Sequence, residues 1–149
     1  MEPYHFFPLL GVLLAFLFAL GSATYFAIRQ AEISAINDLL HDLTEIEDLA
    51  TAYWLGEYET PRKRRAAGHR LRGKLHATTI FYTHYRNLIG SKVGKFEEMD
   101  GKLFDLCTGL GFQSQSFKPN PEVAVSIIYC CNEFRDLLRS IRKGIYWVH

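Results

Sequence analysis

The sequence predicts an all-α protein in which a single N-terminal transmembrane helix is followed by a small antiparallel helical bundle. Three observations carry this expectation. Residues 6–28 form a run of 23 without one Asp, Glu, Lys or Arg. After it, apolar residues recur at intervals of three and four in four blocks separated by glycine or proline, the spacing that lays one apolar stripe along a helix. No segment alternates apolar and polar residues long enough to favour a strand. The expected division is an anchor over residues 1–28 and one bundle over residues 29–149, consistent with a chain of 149 residues and the usual size of one domain.

As a helix rising about 1.5 Å per residue, the uncharged run covers roughly 34 Å, enough for a bilayer core of about 30 Å. Ser22 and Thr24 can return their hydroxyls to the helix carbonyls, and Tyr4 and Tyr25 carry the amphipathic rings expected near membrane interfaces. Pro8 falls near the helix start, where a missing N–H costs little. Two rivals have to be weighed, a cleaved signal peptide and the core helix of a soluble protein. A signal peptide has a basic start and a shorter apolar core; residues 1–5 contain no Lys or Arg, although Gly21, Ser22 and Ala23 supply small residues. A retained single-pass anchor fits the length best. Arg29 is the only cation close to the span and favours a cytoplasmic C-terminal part. Three cysteines, with Cys130 and Cys131 adjacent, suit a reducing compartment better than a disulfide framework.

The first block after the span, residues 30–54, places Ile36, Leu39, Leu43, Ile46, Ala50 and Tyr53 in a three-heptad seam. Gly56, Thr60 and Pro61 end it, and this helix can run on from the membrane helix without a break. The second block carries Leu71, Leu75, Thr78, Tyr82, Tyr85 and Ile89 and closes at Gly90. The third has Val93, Phe96, Met99, Leu103, Leu106 and Leu110 on one face and stops between Gly109 and Gly111. Residues 112–119 are polar and rich in breakers, a loop. The last helix has the strongest start: Asn120 to cap, Pro121 at the first helical position, and Glu122 against the positive end of the helix dipole. Ile127, Cys131, Phe134, Leu138, Ile141, Ile145 and Val148 follow one face of it.

A net charge of +1 conceals an uneven distribution. Residues 29–59 hold one basic residue against eight acidic ones (Glu32, Asp38, Asp42, Glu45, Glu47, Asp48, Glu57, Glu59). Residues 60–74 hold seven basic residues (Arg62, Lys63, Arg64, Arg65, Arg70, Arg72, Lys74) and no acidic one. If the first two blocks form a hairpin around Pro61, these opposite charges face each other over several turns and fix the pairing of the helices. The sharper alternative is a surface for phosphate groups or a protein partner. A straight helix carries the basic stretch roughly 40 Å from the bilayer, several Debye lengths of about 8 Å, which disfavours lipid there. Nucleic acid is a further partner for this stretch, but it lacks interleaved aromatics on which bases stack.

Catalytic and metal chemistry is thinly represented. His69, His76 and His84 stand seven and eight residues apart, never at the spacing that brings two imidazoles to one ion. His41 lies beside acids on a solvated helix face. Cys130 and Cys131 form no redox motif, and adjacent helical side chains diverge by about 100°. Gly109 and Gly111 have neither a preceding strand nor a following Lys-Ser/Thr, so they form no phosphate loop. No enzyme, catalytic group, metal or cofactor is expected. Within the span, Ala15, Ala19 and Ala23 make a small-residue stripe through which two spans can approach; ordinary lipid-facing alanine explains the same residues.

The layout of a span at residues 6–28, an acidic helix over residues 32–59, a basic turn at residues 62–65 and a compact helical remainder resembles the small inner-membrane effector proteins of bacterial anti-phage operons, retron systems among them. The resemblance covers the whole chain as a plan and rests on no diagnostic motif. It implies a non-enzymatic inner-membrane effector, held silent by protein partners and perturbing the membrane when released. Because one apolar span offers no polar face to line a pore, such action requires assembly. A membrane-tethered adaptor that binds nucleic acid or a protein through residues 62–74 is the alternative.

Overall fold

A computed structural model of the chain describes residues 6–146. They form four helices, α1 (Phe6–Leu55), α2 (Pro61–Ile89), α3 (Val93–Thr108) and α4 (Pro121–Tyr146), with a 3₁₀ turn at Gly90–Lys92 between α2 and α3. No strand occurs among the described residues. The sequence signals explain the boundaries. Gly56 takes φ +80° and lets the chain leave α1, a conformation only glycine adopts without strain. Thr60 accepts the Lys63 N–H at 3.2 Å to cap α2, with Pro61 at its first position. Asn120 Oδ1 accepts the Val123 N–H at 3.3 Å at the start of α4.

From residue 33 onward α1 is one wall of a four-helix bundle in which every neighbouring pair is antiparallel. Arg142 meets Asn37 and Arg135 meets Glu47, so α4 descends as α1 rises. Lys74 of α2 meets Asp42 of α1; Thr78 and Tyr82 of α2 meet Asp100 and Glu97 of α3; and Lys92 of the 3₁₀ turn and Lys102 of α3 meet Ser140 and Glu133 of α4. The heptad seam of α1 is the centre of the core: Ile36, Leu43, Ile46, Ala50 and Tyr53 are fully buried and Leu39 nearly so. Burial of one such Leu, Ile or Phe contributes about 1.5–3 kcal/mol, so this seam outweighs any surface ion pair. Phe96 meets Phe81, Tyr82 and Phe134 at ring separations of 5.9, 5.8 and 4.9 Å.

Two stripe assignments differ from the expected ones. On α2 it is Phe81 that enters the core, while Tyr82 and Tyr85 are half-buried. The Tyr82 hydroxyl needs a polar partner and finds Glu97, and the helix departs from helical geometry at Tyr85 (φ −118°, ψ 20°), which turns the stripe. On α3 the helix ends at Thr108, so Leu110 falls in the following loop and is fully exposed, while Cys107 is buried in its stead. Leu71, Leu75, Thr78 and Ile89 on α2, and Ile127, Cys131, Phe134, Leu138, Ile141 and Ile145 on α4, are buried as their spacing predicts; Val148 and Tyr4 lie outside the described residues.

The loop between α3 and α4 is more ordered by contacts than its polar composition suggests. Phe112 and Phe117 sit on Tyr53 at 4.9 and 5.2 Å, the Tyr53 hydroxyl accepts the Gln113 N–H at 2.7 Å, and the Asn120 N–H donates to the Trp54 carbonyl at 2.8 Å. Trp54 Nε1 donates to the Cys107 carbonyl at 3.3 Å. The far end of the bundle is therefore closed by aromatic side chains from α1 and the loop.

The N-terminal part of α1 packs against none of this. Among the described residues one helix is long and apolar enough to cross a membrane by length and composition, and its most apolar window, with mean hydropathy 2.0, is 0% buried.

Candidate functional site

Two surfaces were singled out by the sequence, and the structure sets them at opposite ends of the molecule. The first is the apolar length of α1. Ala15, Ala19 and Ala23 are exposed there, between large side chains such as Phe16, Phe18 and Phe26. The Ser22 hydroxyl donates to the Phe18 carbonyl at 2.5 Å and Thr24 to the Leu20 carbonyl at 3.0 Å, so neither presents an unsatisfied donor to its surroundings. Ten Leu, Val, Phe and Ile side chains between residues 10 and 28 stand open. Removing them from water is worth on the order of 10 kcal/mol or more.

The second surface is the basic start of α2, and here the expected charge ladder is mostly absent. Lys74 alone of the seven reaches across to the acidic helix, with Asp42 at 2.9 Å and Glu45 at 2.6 Å. That pairing raises the Lys74 pKa and lowers that of Glu45 through their hydrogen bond. Lys63 meets Glu59 of its own connection at 3.5 Å, both exposed. Arg64 lies over the Phe117 ring at 4.6 Å and Arg72 over Phe112 at 5.3 Å, a cation–π use that no spacing rule foretold. Arg62, Arg65 and Arg70 are exposed and make no ion pair among the described residues. With Lys74 beside Asp42, the antiparallel register sets Arg62 and Arg65 opposite residues 49–55 of α1, which hold no acid, and Glu47, nearer the level of Arg70, turns toward α4 and meets Arg135 at 2.6 Å. Gly68, in the middle of the basic stretch, is buried where Gln113 crosses it; a Cβ there would stand 2.8 Å from Gln113 Nε2.

The remaining chemistry is dispersed. His69, His76 and His84 are exposed, and His41 lies 3.9 Å from Glu45. No group of three His, Cys, Asp or Glu side chains converges among the described residues. Cys107, Cys130 and Cys131 are buried and unpaired; burial pushes the Cys131 thiol up to about 12 and the Cys107 thiol higher still. Asp100 is raised by burial, against the opposing pull of the Thr78 hydroxyl that donates to it.

A third feature was missed by the sequence because its parts lie far apart along the chain. At the end of the bundle nearest the apolar length of α1, Arg29 and Glu32, the turn after α2 and the last turns of α4 enclose an open cavity of about 400 Å³. Lys92 crosses it to donate to Ser140 Oγ at 2.7 Å. The signal that would have found it is the basic character of both turns at the same end of an up-and-down bundle.

The fold and surfaces together define a helical bundle mounted on an exposed apolar helix. No family model, curated protein or solved structure matches this chain.

Proposed function

We propose that the chain is a membrane-anchored, non-enzymatic helical effector that acts through self-association or a protein partner, of the inner-membrane kind that its layout resembles. The observation that carries this reading is the apolar window of α1 that is 0% buried and continuous with the bundle. A bilayer covers that surface over its whole length, and the bundle is then held on the cytoplasmic side. Perturbation of the membrane follows from assembly of several spans, since a lone helix lined by Leu, Phe and Ala conducts nothing. The test is expression of the full chain in bacteria with membrane potential and growth followed together, and with membrane and soluble fractions separated. Depolarisation by the membrane-bound protein supports the reading; normal insertion with no effect on potential or growth in any background refutes the effector role.

A second reading has its own support. Arg62, Arg65 and Arg70 are exposed without ion-pair partners among the described residues, so a tethered adaptor can offer them to a nucleic acid or an acidic protein. Binding that weakens with salt and disappears on reversal of those three arginines to Glu separates this reading from the first.

A further inference from the structure

We infer that the membrane-facing end of the bundle is a docking surface for the headgroups of anionic phospholipids. The inference rests on the anchor reading above and adds the lipid class that the anchored bundle selects.

Three elements arrive at this end. The turn over residues 86–95 brings Arg86, Lys92 and Lys95 and no acid. The end of α4 over residues 139–146 brings Arg139, Arg142 and Lys143, again with no acid. Residues 29–38 of α1 add Arg29, and the only acids at this level of α1 are Glu32 and Asp38. Seven basic residues thus gather at this end with Glu32 and Asp38, while Glu98 and Asp136 line one surface with Lys92 and Lys95 and Arg86 lies over the Tyr82 ring at 5.7 Å. Two of the seven are held in ion pairs, Arg29 by Glu32 at 2.9 Å and Arg139 by Asp136 at 2.9 Å, which leaves five without one among the described residues. Lys92 and Arg142 spend one hydrogen bond each on neutral partners, Ser140 and Asn37. Arg86, Lys95 and Lys143 are exposed.

Height decides which ligand meets them. Arg29 follows Ile28, the last residue of the uncharged run, and it lines the same cavity as Lys92 and Gly144. The level of Asn37, where Arg142 sits, is roughly 14 Å above Ile28 along the helix. Headgroup phosphates lie in the layer just beyond the hydrocarbon, and a long basic side chain reaches down into it. These charges are within about one to two Debye lengths of the bilayer, whereas the basic start of α2 is at the opposite end.

The test uses the full chain in lipid nanodiscs of phosphatidylcholine mixed with phosphatidylglycerol, followed by mild extraction and mass-spectrometric counting of retained lipid. Retention of phosphatidylglycerol over phosphatidylcholine is expected. The variant R86Q/K95Q/K143Q should lose that preference by up to roughly a hundredfold, about fivefold being the ceiling for each basic residue within a Debye length of an anionic surface. The variant R62Q/R65Q, altered at the far end, should retain it. Circular dichroism confirms that both variants fold; if the triple variant does not, K143Q alone serves and should lose up to about fivefold. Equal retention of the two lipids, or loss of preference in R62Q/R65Q instead, overturns the surface while the anchor stands. Failure of the chain to co-elute with the discs overturns the anchor, and the surface with it.

Discussion

Replacing Gly56 with Ala, compared with the same replacement at Gly73, tests whether the junction between α1 and α4 is built as described. Gly56 has φ +80°, and a Cβ on it would lie 2.7 Å from Pro119 Cγ. An L-residue forced into the left-handed region loses roughly 1–2 kcal/mol. Pressing a methyl group into the Pro119 ring costs about 1–3 kcal/mol more, because that ring is fixed by the next residue, whose N–H donates to Trp54. The expected loss is about 2–5 kcal/mol, a large share of the roughly 5–15 kcal/mol by which a domain is stable. Gly73 lies on α2 with nothing within 4 Å of its added Cβ, so there Ala should stabilise by about 0.5–1 kcal/mol. Urea titration of the full chain in micelles, followed by circular dichroism and by fluorescence, measures both. Adding Pro119→Ala to the Gly56 variant should return the packing part of the loss and leave the backbone part, a coupling visible in a double-mutant cycle. A Gly56 variant as stable as the parent, or no coupling to Pro119, would refute the account of this junction.

Other perturbations discriminate in the same way. The Asp100 carboxyl has its pKa raised in the folded state, chiefly by burial. Its charged form therefore opposes folding above that pKa, and the opposition fades as pH falls through it. Asp100→Asn, which still accepts from Thr78, should raise the melting temperature at neutral pH and lose its advantage in acid; a lower melting temperature at neutral pH would sink the argument. Lys74 and Glu45 act with the opposite sign. Their mutual contact raises one pKa and lowers the other, so its support is present at neutral pH, fading in acid below the ordinary range of Glu and in alkali above that of Lys. Lys74→Met should flatten both limbs of a stability profile, whereas Arg62→Gln and Arg65→Gln should leave it unchanged. All three thiols are buried and raised in pKa by that burial, so alkylation at pH about 8 should await unfolding; rapid labelling of the native protein would contradict the core.

Periodicity was informative wherever one helix face had one neighbour to satisfy. The six seam residues of α1 and the stripe of α4 are in the core because heptad spacing and burial are the same geometric fact. Legibility failed where position depended on rotation about a helix axis or on a distant partner. Nothing near Phe112 or Phe117 announces that Tyr53 and Trp54 will receive them, or that Arg64 and Arg72 will cover them. The basic stretch was visible as composition, but its pairing was not: the register set by Lys74 and Asp42 puts Arg62 and Arg65 opposite the acid-free residues 49–55, and Glu47, nearer Arg70, is aimed at Arg135. The cations at the near end were invisible for a related reason, since only the up-and-down topology brings the turn at residues 87–92 and the end of α4 beside Arg29.

Because α1 passes from its apolar length into the bundle as one 50-residue helix, the molecule has no swivel between its two parts. Its reach is measured from Arg29, where the uncharged run ends. From there to Leu55 is roughly 39 Å of helix, so a lean of about 10° moves the far rim by roughly 7 Å. Turning the apolar shaft about its own axis likewise turns the bundle through the same angle, because one helix runs through both.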